Sequence, residues 1–249
     1  MGKFFVIIFV FTIATKLISQ DLRFEHITAE DGLSQSSVTC ITQDSVGFMW
    51  FGTYNGLNRY DGYNIVSYNH DDKNIYSISE NYITALLNDS HNFLWIGTFN
   101  GLNIYNHKTE QFFKIELKIS NENTNNNIVI NAIFEDKDGA IWIGTRGFGL
   151  IKIVVPSKYD NLSPDLINKL QIFHFLREPN NNRSITSNSI SDIIQNTDGN
   201  LWTSTSNGIL VFNTEQEMFI KTYNYDSSNV HSLSSNFTTA IEIDIDNNI

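Results

Sequence analysis

The residues of this chain that could hold a metal or move a proton are scattered. The six histidines, His26, His70, His91, His107, His174 and His231, include no pair at His-x-x-x-His spacing. Cys40 is the only cysteine, so no Cys/His zinc set is offered. Asp136-x-Asp138-Gly139 has the opening of a calcium loop but lacks its further spacing and its closing bidentate glutamate. There is no Gly-rich phosphate loop and no Gly-x-Ser-x-Gly elbow. The sequence therefore presents no catalytic set, no metal site and no cofactor motif, and it does not single out ligand-binding residues. One cysteine excludes an internal disulfide framework, and Cys40, in an apolar stretch, reads as a small buried hydrophobe. The formal net charge of −11 argues against nucleic acid as a partner, because phosphate contacts need a basic face.

The tryptophans carry the other possible chemistry, stacking on sugar rings, but their surroundings favour packing. Trp50-Phe51-Gly52-Thr53, Trp95-Ile96-Gly97-Thr98 and Trp142-Ile143-Gly144-Thr145 are copies of one cassette, and Trp202-Thr203-Ser204-Thr205 is a degenerate fourth. They recur roughly every 45–60 residues, a period that belongs to solenoids, arrays and propellers. Phe48-Met49-Trp50-Phe51 and Phe93-Leu94-Trp95-Ile96 are continuous apolar runs, as expected of a sheet covered on both faces. Gly52, Gly97 and Gly144, two residues after each Trp, allow a neighbouring element to approach closely.

The elements around each cassette repeat too. Asp44, Asp89, Asp136 and Asn196 precede the tryptophans by six residues and read as turn formers. Apolar pairs stand upstream of them: Val38 and Ile41, Ile83 and Leu86, Ile130 and Ile133, Ile190 and Ile193. Downstream, Asn55-Gly56, Asn100-Gly101 and Asn207-Gly208 predict tight hairpins in which both residues take positive φ. Gly147-Phe148-Gly149, one residue longer, predicts a bulged or three-residue loop. Third strands are expected over 57–60, 102–105, 150–153 and 209–212, and fourth strands over 65–68, 111–117, 170–175 and 218–223. No amphipathic helical stretch interrupts them. The fold class is all-β: a β-propeller of four-stranded antiparallel blades, incomplete, with about four and a half blades present.

Domain boundaries follow. Lys3 and the apolar run Phe4 to Ala14 mark residues 1–19 as a secretory signal peptide, so the chain is expected to be exported. Residues 20–249 form the partial propeller, with blades near 36–70, 81–117, 128–175 and 189–223 and the start of a fifth at 236–249. Asp244 stands where Asp44 does, and the next Trp falls due one position after Ile249, which reads as a piece of a longer reading frame. The Asn-rich stretches 121–127 and 180–182 read as loops, and the extra length from Val155 to Asn168 as an insertion in the outer loop of the third blade, on the surface.

These residues resemble the two-component regulator propeller family. The resemblance begins at Phe24-Glu25-His26-Ile27 and Glu30-Asp31-Gly32-Leu33-Ser34-Gln35-Ser36-Ser37-Val38. It runs through Ile41-Thr42-Gln43-Asp44, the first cassette and Asn55-Gly56-Leu57-Asn58-Arg59-Tyr60-Asp61-Gly62, and returns at Asn92-Phe93 and Asn100-Gly101-Leu102. Ser204 departs from it, which affects that blade's packing alone. The resemblance implies the periplasmic sensor region of a bacterial hybrid two-component histidine kinase, here its N-terminal part. It implies an oligosaccharide as ligand of the complete periplasmic region, a homodimer, an inner-membrane anchor through a downstream helix, and a kinase core beyond this segment. It also implies that 24–27 pairs in a last blade to close the ring. A secreted propeller enzyme, lyase- or lactonase-like, and a propeller interaction scaffold are the alternatives.

Overall fold

A computed structural model describes residues 24–117, 127–156 and 162–249. The signal-peptide reading of 1–19 and most of the Asn-rich stretch 121–127 lie outside them. Among the described residues, sixteen strands form four separate four-stranded antiparallel sheets, each a meander in chain order. Blade 1 is β1 (Val38–Gln43), β2 (Met49–Thr53), β3 (Gly56–Tyr60) and β4 (Ile65–Tyr68). Blade 2 is β5 (Ile83–Asn88), β6 (Leu94–Thr98), β7 (Gly101–Asn106) and β8 (Gln111–Ile115). Blade 3 is β9 (Ile130–Glu135), β10 (Ile141–Thr145), β11 (Leu150–Val154) and β12 (Gln171–Phe175). Blade 4 is β13 (Ile190–Gln195), β14 (Asn200–Thr205), β15 (Gly208–Asn213) and β16 (Met218–Tyr223). These strands match the sequence reading to within one or two residues, because short apolar runs between turn residues leave little freedom for their ends.

The first strands of consecutive blades touch one another, so β1, β5, β9 and β13 are innermost and the fourth strands lie outside. Each first strand also bends at its start, where its register against the Trp strand slips by one residue in blades 1 to 4. Such bulges increase local twist. The core is three clusters, one per interface. Trp50 and Leu57 pack with Ile83, Leu94, Tyr105 and Phe112 of blade 2. Trp95 and Ile104 pack with Ile130, Ile143 and Ile153 of blade 3. Trp142 and Leu150 pack with Ile190, Leu201 and Phe212 of blade 4.

Three expectations need correction. The Asn-Gly turns are not pairs of positive-φ residues: Gly56, Gly101 and Gly208 have φ of 127°, 108° and 88°, whereas Asn55, Asn100 and Asn207 are not in that region. The tight turn is Tyr54-Asn55 in blade 1, and the glycine opens the next strand opposite Thr53, as in a turn closed by a bulged glycine. Gly147-Phe148-Gly149 does form the longer loop, with positive φ at both glycines. Second, the insertion is not wholly a surface loop. Its described part carries a helical turn, α1 (Pro164–Ile167), capped by the Ser163 side chain, and Leu162 and Leu166 are buried in the cluster between blades 2 and 3. Third, that turn and a short 3-10 turn over Ala29–Asp31 are helical where no helix was expected. Four residues are too few to show a helical period.

Residues 24–27 form no strand and Phe24 is exposed. Residues 236–249 form no strand either, yet they repeat the local contacts of a blade's start. Gly208 N–H donates to the Asn236 carbonyl, and Asp244 accepts from the N–H groups of Asp246 and Asn248. Among the described residues no helix is long and apolar enough to cross a membrane.

Candidate functional site

The sequence-predicted repeat residues prove to be the joints between blades. Trp50, Trp95 and Trp142 have no exposed surface. Each therefore contributes about 4–6 kcal/mol gross from area removed from water. Trp50 stacks on Tyr68 of its own blade and meets Tyr105 and His107 of the next edge-on. Gly52 lies under Ile83 of blade 2, where an added Cβ would stand 2.7 Å from Ile83 Cγ2 and 2.5 Å from Cys40 Sγ. Gly97 lies under Ile130 in the same way, and Gly144 under Ile190. Ala85 and Ala132 fill the place of Cys40 opposite those glycines, so Cys40 serves as a small packing residue. Burial there pushes its thiol pKa up to about 11. Thr53, Thr98, Thr145 and Thr205 each donate through Oγ1 to the carbonyl of the glycine closing the β2–β3-type turn.

The acidic residue six before each Trp does more than turn the chain. One carboxylate oxygen gathers backbone N–H groups of the turn; the other accepts the indole N–H at 2.8 Å for Asp44–Trp50 and Asp89–Trp95, and 2.7 Å for Asp136–Trp142. Asp136-x-Asp138-Gly139 is thus a turn whose carboxylate is already engaged. Burial pushes the Asp89 pKa upward, against the bond from Trp95. In blade 4, Asn196 accepts the Asn200 N–H, and the buried indole N–H of Trp202 has no partner among the described residues. Trp202, stacked on Tyr223, lines a groove of about 850 Å³ with Asn196, Tyr223 and Leu233. That surface of blade 4 corresponds to the faces of blades 1 to 3 that the following blades cover.

Sequence reasoning missed a second repeated element in the connectors between blades. Ser77, Ser184 and Ser232 each bond both the N–H and the carbonyl of a residue six earlier, closing a compact loop. Asn81, Asn188 and Asn236 follow, and their carbonyls accept the N–H of the turn glycine of the preceding blade. The signal was present as Asn-x-x-Ser followed four residues on by Asn: Asn74, Ser77, Asn81; Asn181, Ser184, Asn188; Asn229, Ser232, Asn236. Two ion pairs also join blades. Arg59, across from Trp50, meets Glu110 at 3.0 Å, and Lys152, across from Trp142, meets Glu217 at 2.7 Å.

These connector bonds bring the turns and the connectors to one face of the propeller. Here, the residues four after each Trp do not repeat: Tyr54, Phe99, Arg146 and Ser206. Phe99 N–H donates to the Tyr82 carbonyl and Arg146 N–H to the Val129 carbonyl, fixing the tips over the starts of the inner strands. Tyr54 and Tyr82 meet edge to face at 4.7 Å, and Tyr82 stacks on Phe99 at 5.3 Å with 11° between planes. Tyr54 is 51% exposed. Arg146, on the next turn, is exposed, and its guanidinium has no hydrogen-bond or ion-pair partner among the described residues. The histidines are not gathered there. His107 lies at the blade 1–blade 2 joint, 3.8 Å from Asp44, and His174 bonds the Phe148 carbonyl. Among the described residues no group of three metal-ligating side chains occurs.

Blades of four antiparallel strands, stacked through Trp, Gly and a paired carboxylate, define a β-propeller. Residues 32–55, 77–100 and 124–147 each match the family described as two component regulator propeller. A stretch of 80 residues is 42% identical to Histidine kinase P4 of Formosa agariphila; it is 32% of this chain and 6% of that protein's length. The fold is similar to the extracellular domain described as that of a hybrid two component system from B. thetaiotaomicron, at TM-score 0.67 and 24% identity, over 85% of this chain and 25% of that one. It is also similar to virginiamycin B lyase from Staphylococcus aureus, at TM-score 0.52 and 17% identity, over 74% and 55% of the two chains. The chain thus spans a small part of the length of Histidine kinase P4 and of the B. thetaiotaomicron domain.

Proposed function

We propose that this chain is part of the periplasmic ligand-sensing propeller of a hybrid two-component histidine kinase, and that the ligand is an oligosaccharide. The observation that carries this reading is the match of three successive segments, each ending just past a Trp-x-Gly-Thr cassette, to the two-component regulator propeller. The identity with a histidine kinase over 80 residues supports it. In this role the segment binds and transmits, and the chemistry of phosphoryl transfer belongs to a kinase core elsewhere in the protein. Export, a membrane anchor outside the segment and a homodimer across the membrane are parts of the same proposal. The likeness to virginiamycin B lyase is one of fold.

The test is an in-frame deletion of codons 20–249 from the gene in its own cell, with transcripts profiled across a panel of oligosaccharides. The expected result is a response to one saccharide class in the intact strain and its loss in the deletion. An intact strain whose transcripts respond to none of the panel overturns the oligosaccharide reading.

A further inference from the structure

The repeat itself separates scaffold from function. Positions that hold blades together recur, because each interface poses the same packing problem: Trp, Gly two later, Thr three later and the acidic residue six earlier. Four residues after Trp the sequence changes in every blade, to Tyr54, Phe99, Arg146 and Ser206, although the backbone there makes the same connector bond in blades 2, 3 and 4. Packing does not ask for aromatic rings at these tips. Tyr54, Tyr82 and Phe99 nevertheless form a continuous aromatic group, with Tyr54 half open to water. Exposed aromatic clusters with a nearby arginine are the composition of binding sites. Tyrosine contributes a rigid apolar face together with a hydroxyl, so little conformational entropy is lost on binding.

Arg146 adds charge. In a chain with 27 acidic residues against 16 basic ones, Arg59 and Lys152 are each paired with a glutamate, whereas Arg146 is exposed and unpaired among the described residues. Its backbone N–H bonds the Val129 carbonyl as the Phe99 N–H bonds the Tyr82 carbonyl, so Arg146 stands on blade 3 where Phe99 stands on blade 2. The nearest carboxylate of that connector, Glu80, is turned back onto the N–H groups of Asn81 and Tyr82. The Phe148 carbonyl, in the same loop as Arg146, is held by His174.

We infer that Tyr54, Tyr82, Phe99 and Arg146 form a subsite for an acidic saccharide. The apolar face of a pyranose ring lies on the aromatic group and its carboxylate meets the Arg146 guanidinium. This rests on the oligosaccharide reading above and specifies its ligand class. A guanidinium fork matches a carboxylate with two parallel bonds.

The experiment is calorimetric titration of the full chain and its variants. The probes are tetramers of galacturonate, glucuronate and mannuronate, their methyl esters and neutral galactotetraose. The expected result is that at least one acidic tetramer binds, that its methyl ester binds about tenfold more weakly or worse, and that Tyr54→Ala and Arg146→Gln each lose about tenfold or more. Arg146→Lys recovers part of the loss. Both positions are exposed, so unchanged far-ultraviolet circular dichroism and melting separate binding from folding. Acidic and esterified tetramers that bind equally, or variants that bind as the parent does, overturn the subsite while leaving the oligosaccharide reading standing. Absence of binding by every acidic tetramer also overturns the subsite. The oligosaccharide reading itself falls only if the transcript panel is silent as well.

Discussion

The indole N–H of Trp142 donates to Asp136 Oδ2 at 2.7 Å, whereas the indole N–H of Trp202, in the same place one blade later where Asn196 replaces the aspartate, has no acceptor among the described residues. One residue type thus decides whether the largest side chain of a blade is tied at its polar end. Asp136→Asn is expected to keep the turn, as Asn196 does, but to cost about 1.5–3 kcal/mol through loss of a charge-assisted bond to a buried donor. Asn196→Asp is expected to gain about 1 kcal/mol or more, because it offers an acceptor to the buried indole N–H of Trp202. Urea unfolding of the two variants beside the parent checks both signs.

His107 gives the blade 1–blade 2 joint a pH dependence. Its ring lies beside Trp50 and Tyr105, and burial lowers its pKa below the usual 6.5, outweighing the pull of Asp44. A histidine with a depressed folded pKa binds its proton more readily in the unfolded chain. Its contribution to stability is full above 6.5 and is lost as pH falls through the range between 6.5 and the folded value. His107→Gln removes that part of the slope. The stability difference between parent and variant, measured by urea midpoints from about pH 7.5 down to about pH 5, is expected to move against the parent on acidification.

Gly97→Ala tests the contact between blades 2 and 3. The backbone at Gly97 is not in the left-handed region, so the obstacle is steric: the new methyl would stand 2.6 Å from Ile130 Cγ2 and 2.9 Å from Ile130 Cβ. Overpacking of this kind costs about 1–3 kcal/mol. Ile130→Ala opens the space at its own cost of about 2–5 kcal/mol. The double variant is expected to be more stable than the two costs predict together, by about 1 kcal/mol. The chain already contains a related exchange, with Ser204 in the glycine position.

Leu166→Ala reports whether the insertion is structural. Leu166 is 8% exposed and belongs to the core between blades 2 and 3. Truncation is expected to cost about 2–4 kcal/mol, where a surface loop would lose less than about 0.5 kcal/mol. A thermal melt distinguishes the two.

Much of the architecture was legible in the chain. Strand ends, the four-strand unit and the role of Trp as an inter-blade residue follow from local alternation, turn residues and a repeat that could be counted. Asp44, Asp89 and Asp136 were legible as turn residues only. Their second role, to Trp50, Trp95 and Trp142, joins the turn to the side chain of the strand after it and leaves no mark in local propensity. Leu162 and Leu166 were hidden because Pro156 and Pro164 interrupt the apolar residues of the insertion, so no continuous helical run stands out.

By itself, the sequence determined the blade: where each strand runs, which residue turns it, and how often the unit recurs. These are consequences of backbone dihedrals and of period-two side-chain placement, which act over a few residues. Only the tertiary structure decided what lies between blades. Gly52 meets Ile83, Gly56 bonds Asn81, Arg59 pairs with Glu110, and Tyr54 reaches Tyr82 and so extends to Phe99. Each of these contacts depends on how one twisted sheet is rotated and set upon the next. That rotation is fixed by the fit of whole faces and not by any local run of residues, and it turns the same repeat into a scaffold at one set of positions and a candidate binding face at another.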